Sequence, residues 1–195
     1  DYDKMTKAWV KTATDFQWDM VPRGEVMFPG RVFDALGITQ FKLPGRQLPA
    51  NVSYQYVEGE YMKADEYDEL LTNPAEFTIK KLWPRMATKL EPLSAFPPFH
   101  GLASGYALVM AVTLVTGTPE FAEAADALTK AGQEAMKWYG ALFHLDQELR
   151  RLGFPATYSS YPAAAPFDQI SDFLRGMRGS MLDMYRQPDK LLRLL

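Results

Sequence analysis

The chain of 195 residues contains no cysteine. That excludes a disulfide framework and any thiolate metal site within it. Its two histidines, His100 and His144, stand at no metal-ligand spacing from each other or from an Asp or Glu. Basic residues are in deficit: 21 Lys and Arg face 24 Asp and Glu, for a net charge of −3. No surplus remains to neutralise phosphates, so nucleic acid is excluded as a general partner. No apolar run reaches the roughly 20 residues that span a bilayer. The longest, 102–115, has the length of a buried helix, so no membrane association is expected. Asp1-Tyr2-Asp3-Lys4 has neither the basic start nor the apolar stretch of a signal peptide, and a cytoplasmic location is the expectation. Nucleophile elbows and phosphate loops are also missing.

What is present is an ordinary globular composition, 47% apolar and 23% charged, read as one domain over residues 1–195. Spacing at three and four predicts a helix over residues 3–14, with Met5, Ala8, Trp9 and Ala13 on one side. A strand is expected at 16–21, then a short helix from Pro29 stopped by Gly37. Residues 38–60 read as extended, turning at Pro44-Gly45, with Gln55-Tyr56-Val57 alternating. Asp65 and Pro74 open two helices that end near Leu71 and Leu82. Thr118-Pro119 starts a long helix that stops at Gly153. A second strand is expected at 155–161. Helices follow from Pro166, Ser180 and Pro188. Met177, Met181 and Met184 recur at helical spacing and read as core filling.

A strand that empties straight into a helix is the unit of an α/β fold, and such folds bind ligands where strands end. The first helix has no cap box or lead-in strand ahead of it, and Leu191-Leu192-Arg193-Leu194-Leu195 carries no stop signal. A complete (β/α)8 barrel has eight parallel strands in about 250 residues, and only two convincing ones are read here. The expectation is therefore α/β: a partial, helix-rich TIM-type barrel with an extended insertion after the first strand.

Several motifs carry a resemblance. They are Ala164-Ala165-Pro166-Phe167, Phe173-Leu174-Arg175-Gly176, Asp183-Met184-Tyr185-Arg186 and Pro188-Asp189-Lys190. In this order they resemble the third-strand region of the uroporphyrinogen decarboxylase superfamily, which includes the decarboxylases of haem synthesis and corrinoid-dependent methyltransferases. Phe16-Gln17-Trp18-Asp19-Met20-Val21-Pro22, with Ala35-Leu36-Gly37 after it, is similar to another strand and helix of that superfamily. Glu66-Tyr67-Asp68 resembles a segment of its methyltransferase-like members.

The resemblance implies that Asp19 faces a tetrapyrrole-like substrate, accepting hydrogen bonds from pyrrole N–H groups. Read without it, Asp19 caps a turn. Asp172 falls where the decarboxylases carry an active-site Tyr, so a neutral donor is replaced by an anion. That disfavours decarboxylation of a polyanionic substrate. Asp172 and Arg175 are three apart and would share a helical face, as pocket edge or as a surface ion pair. Ser159, Ser160 and Tyr161 at the end of the second strand, with Pro166, Phe167 and Arg175, are the candidate substrate contacts; Asp19 and Asp172 are the candidate catalytic residues. His100, in the Pro-bounded aromatic loop after Phe99, is a weaker candidate cavity residue.

The expected function is an enzyme domain acting on a tetrapyrrole or a small methyl donor, with methyl transfer to or from a corrinoid protein favoured. The alternatives are a uroporphyrinogen III decarboxylase, or a non-catalytic interaction domain derived from the same fold. No cofactor is expected on this segment; the resemblance implies corrinoid and zinc for a longer parent, the zinc on ligands outside these residues.

Overall fold

Asp1 starts the first helix, accepting hydrogen bonds from the backbone N–H groups of Asp3 and Lys4 at 3.1 and 3.2 Å. The helix the sequence leaves without a cap box is thus capped by its own first residue. The computed structural model describes residues 1–19, 21, 28–100, 105–155 and 165–195. About 70% of the described residues are helical, and they include one small two-stranded sheet. The chain divides into two compact units: residues 1–33 with 129–163, and residues 34–128 with 164–195.

In the first unit, α1 (Tyr2–Phe16) and the later part of α7 (Pro119–Arg151) contribute to a core of Ala13, Val21, Leu145 and Leu149. Trp9, Val10, Trp18 and Phe154 pack against it. The strand expected from residue 16 does not start there. Helix α1 runs through Phe16, and Gln17 closes it in the left-handed region at φ 48°. The reason is tertiary: closing the helix at Gln17 lets Phe16 stack on Trp18 (6.2 Å) while Trp18 meets Trp9 edge-on (6.2 Å). Among the described residues of that stretch only Val21 pairs, its N–H directed at the Pro155 carbonyl at 3.5 Å. Of the second expected strand, residues 156–161 lie outside the described residues.

The start of α7 follows its sequence signals. The Thr118 hydroxyl accepts from the Phe121 N–H at 3.2 Å, and Pro119 sits at the first position. Gly153, at φ 91°, ends the turn after it.

In the second unit, α2 (Gly30–Leu36) ends at Gly37, and β1 (Phe41–Lys42) pairs antiparallel with β2 (Gln55–Tyr56). This is the only sheet among the described residues. Next come α3 (Tyr67–Thr72) and α4 (Pro74–Phe77). Glu66, not the expected Asp65, holds the N-cap position of α3; the Asn73 side chain caps α4.

Past Phe77 the helix does not stop at Leu82. Thr78–Leu82 widens into a π-turn and α5 (Trp83–Met86) continues it. Pro84 explains the widening: it has no N–H to give and its ring presses on the preceding turn. The Trp83 N–H accordingly bonds back five residues, to Thr78. A 3-10 segment, Thr88–Ala95, then buries Leu90 and Leu93 with Ala87, against Leu36, Ile38, Ile79, Phe96 and Phe121.

Helix α8 (Pro166–Ile170) runs into a second π-turn, Ser171–Arg175, and then α9 (Gly176–Arg186) and α10 (Pro188–Leu194). The larger core of this unit is Met62, Tyr67, Leu70, Phe77, Ile170 and Leu191. Two apolar readings are corrected. Helix α6 (Gly105–Thr116), expected to be buried, has no buried residue. Met177, Met181 and Met184, expected in the core, are all exposed, because α9 turns Gly176, Ser180 and Asp183 inward instead.

Gly37 gives a test of this frame. It sits at φ 68°, and a Cβ there would lie 2.2 Å from the Thr88 hydroxyl oxygen. Left-handed backbone costs a side-chain-bearing residue about 1–2 kcal/mol before any clash. Gly37→Ala is expected to destabilise by about 2–3 kcal/mol, lowering the thermal midpoint by roughly 4–12 °C in a chain of this size. Thermal unfolding followed by circular dichroism measures it; an unchanged midpoint would mean α2 closes differently.

Candidate functional site

Two arginines hold down the extended segment between β2 and α3. Arg175 is 4% exposed. Its Nε donates to Asp183 at 2.5 Å and its Nη1 to the Met62 carbonyl at 2.6 Å and to Glu60. Arg85 donates to the neighbouring Tyr61 carbonyl at 2.7 Å. It also grips Glu66 through both terminal guanidinium nitrogens, Nη1 and Nη2, at 2.6 and 2.8 Å. Glu66 accepts further bonds from the Lys63 N–H at 2.8 Å and Lys81 at 3.0 Å. The Met62 N–H reaches the Leu174 carbonyl at 2.7 Å.

Asp183 is the centre of the buried network. Besides Arg175 it accepts from the Tyr67 hydroxyl at 2.9 Å. Burial alone would raise its pKa, but Arg175 and Tyr67 outweigh that and hold it low. Burial pushes the Tyr67 phenol up, and the Asp183 carboxylate pushes it further. Asp68 pairs with Lys190 at 2.5 Å. Motif residues more than a hundred positions apart therefore meet directly. The network ties residues 60–62, α3 and α9 together.

The candidate site residues divide by unit. Asp19, exposed on the bend after Trp18, belongs to the first. Pro166, Phe167, Asp172 and Arg175 belong to the second. Ser159, Ser160 and Tyr161 lie outside the described residues. Pro166 is exposed at the first turn of α8, and Phe167 packs on the larger core. Asp172 and Arg175 do not pair, as side chains three apart on an α-helix could. The π-turn bonds five apart, so three-apart residues no longer share a face. Arg175 turns inward, and Asp172, half-buried, accepts from the Ser171 hydroxyl at 3.2 Å. His100 is tied by its Nδ1 to Glu76 at 2.8 Å, and the Phe99 N–H bonds the same carboxylate at 3.2 Å.

Beside Asp172 stands an aromatic cluster that the sequence reading passes over. Phe41 and Tyr56 are direct cross-strand partners with ring centroids 4.8 Å apart. Phe173 meets Tyr56 at 5.9 Å and Phe41 at 6.3 Å. Tyr54 meets Tyr56 edge-on at 5.7 Å. Burial raises the Tyr56 phenol, and the nearby charges of Tyr54 and Asp172 raise it further. The alternation Tyr54-Gln55-Tyr56 is the signal that puts both tyrosines on one face of an extended segment. A carboxylate and four rings, two of them Tyr hydroxyl-bearing, can accept an N–H or a cation and stack on a flat group.

Among the described residues no group of three or more His, Asp or Glu could hold a metal ion, and the chain has no Cys. No described helix is long and apolar enough to cross a membrane. No family model matches the chain, and neither does any curated protein or solved structure.

Acid tests the two-arginine frame. The bidentate bond to Arg85, opposed by burial, brings the Glu66 pKa from 4.5 down to about 2. Its folded value lies below its unfolded one, so its stabilisation is complete above pH 4.5 and is lost as pH falls toward 2. That loss is expected to be about 3 kcal/mol. Urea midpoints measured across this window should fall steeply for the native chain and more gently for Glu66→Gln. In the same assay Asp183→Ala, which leaves the buried Nε of Arg175 and the Tyr67 hydroxyl without their acceptor, should cost about 3–5 kcal/mol at neutral pH.

Proposed function

We propose that this chain is part of a uroporphyrinogen decarboxylase-like (β/α)8-barrel enzyme. Its substrate is a tetrapyrrole or a corrinoid-linked group, and its reaction is methyl transfer to or from a corrinoid protein. The observation that carries the choice of reaction is Asp172, a half-buried carboxylate next to Phe173 and near enough to raise the Tyr56 phenol, where the decarboxylases have a Tyr. An anion in that place repels a polyanionic porphyrinogen, and shielding from water strengthens the repulsion. It suits a substrate that presents N–H groups or positive charge.

The meeting of Tyr67 with Asp183 in the interior and of Asp68 with Lys190 at the surface supports the superfamily, because separately matched motifs meet in the fold. Asp19 would accept substrate N–H groups, and Ser159, Ser160 and Tyr161 would line the strand end. Pro166, Phe167 and Arg175 set the course of the chain toward Asp172.

One observation favours the non-catalytic reading: α9 exposes Met177, Met181, Met184 and Tyr185, an apolar stripe suited to a protein partner.

The test uses the protein that contains this chain. It is incubated with uroporphyrinogen III, following coproporphyrinogen and carbon dioxide, and separately with reduced cobalamin and methyl donors, following the visible spectrum of methylcobalamin. Methyl transfer on the order of 1 per second or faster, without decarboxylation, is the expected result. Decarboxylation at that rate overturns the choice of reaction, and silence in both arms supports the interaction domain. The isolated 195-residue chain is expected to be inactive in both, since a barrel site draws on several strand ends.

A further inference from the structure

We propose that the outer face of α9 docks an acidic amphipathic helix of a partner protein. This deepens the interaction reading of that surface, on which it rests, by naming the chemistry of the partner.

The face is apolar first. Helix α9 commits Gly176, Ser180 and Asp183 to the interior. Met177, Met181 and Met184, spaced by four and three, share a second face. They are 53, 55 and 52% exposed, and Tyr185, four residues after Met181, is 87% exposed. A helix face turned only to water is served by Lys, Glu or Gln, not by four large apolar side chains within 11 residues. Unbranched thioethers re-pack against whatever apolar shape meets them, and Tyr adds rigid area with a polar tip.

The face is also cationic, through a break in how the arginines are used. Arg31, Arg46, Arg85, Arg150, Arg151 and Arg175 each pair with a carboxylate. Arg178, Arg186 and Arg193 are exposed on α9 and α10, and none of them pairs with a carboxylate among the described residues. Acids are in surplus in this chain, 24 against 21 bases, so the missing partners follow from where these arginines stand and not from a shortage. Helix α9 has a single acid, Asp183, and Arg175 holds it inside. Its outward charge is therefore all positive. Arg178, Leu182 and Arg186, four apart, form a row along the border of the Met181 and Tyr185 side, the two guanidinium groups rooted about 12 Å apart along the axis.

Together these features select one occupant. A guanidinium fork matches a carboxylate, and the apolar band needs apolar side chains in phase with it. A second helix supplies both within three turns: Leu or Met at three-and-four spacing on the stripe, and Glu at seven- or eight-residue spacing on the Arg178 and Arg186 border. A second copy pairing through the same face would set arginine against arginine. An interfacial membrane helix carries Trp, Phe and Leu for insertion, where α9 carries Met and Tyr.

The probe is a fluorescently labelled, acetylated helical peptide of about 14 residues. Leu fills its apolar stripe, Glu its borders and Ala the remainder, and a twin has Gln for every Glu. Binding to the 195-residue chain is read by fluorescence anisotropy, with circular dichroism of each variant. A face this small makes a weak contact, so binding is expected at tens of micromolar. The Gln twin should bind about tenfold more weakly. The double variant Arg178→Gln, Arg186→Gln should weaken the Glu peptide about tenfold and leave the twin unchanged. Met181→Glu should remove binding of both. All three positions are exposed, so the thermal midpoint is expected to hold. Absence of binding up to about 1 mM chain overturns the docking face. Equal binding of peptide and twin, or indifference to the double variant, overturns the acidic partner. Tighter binding to phosphatidylserine vesicles than to the peptide assigns the face to a membrane, and dimerisation of the chain lost in Met181→Glu assigns it to a second copy; either overturns the proposal. Turnover enters none of these readouts, so the docking face and the enzyme reading fail separately.

Discussion

The second unit depends on one buried contact, the guanidinium of Arg175 against the carboxylate of Asp183. Each would be costly in the interior alone. Together, with Tyr67, Glu60 and the Met62 carbonyl, they satisfy one another and fix four segments at once: residues 60–62, α3, the π-turn before Gly176, and α9. Such a pair adds less net stability than apolar packing of equal volume, but it tolerates few alternatives. Slipping α9 by one residue would carry Asp183 away from both Arg175 and Tyr67. The network therefore specifies the arrangement more than it strengthens it.

That contact also explains the exposed methionines. A short helix that commits Ser180 and Asp183 to the interior has its apolar stripe left over for the outside. The three-and-four spacing of Met177, Met181 and Met184 is a real stripe, but spacing does not say which stripe faces in. The information was in Arg175, eight residues before Asp183 and 115 after Glu60. No local rule links those positions. The motif Phe173-Leu174-Arg175-Gly176 marks the place, and its reason emerges only with the partners.

Where local chemistry decides, the sequence is legible. Thr118-Pro119 starts α7, Asn73-Pro74 starts α4, and Gly37 and Gly153 end their turns, each through a bond or dihedral that few residue types supply. Where long-range packing decides, it is not. Residues 16 and 17 are apolar and polar in the manner of a strand edge, but the three aromatic rings of Trp9, Phe16 and Trp18 carry the helix on to Phe16. Of the candidate site, Asp172 was legible through its motif. The cluster beside it needed the pairing of Phe41 with Tyr56, set by a hairpin whose connection is too long for a short turn motif to reveal.

Helix α6 carries a different consequence. Its twelve residues, Gly105–Thr116, hold five β-branched side chains, no charge and no buried position. A helix of that length and composition is marginal in water when little packs against it. Its opening free energy sits at the low end of the molecule's range, well below that of segments tied to the Arg175 network. Amide protons of α6 would then exchange with solvent through local excursions that leave the cores intact, and their protection would fall well below that of the segments held by Arg175.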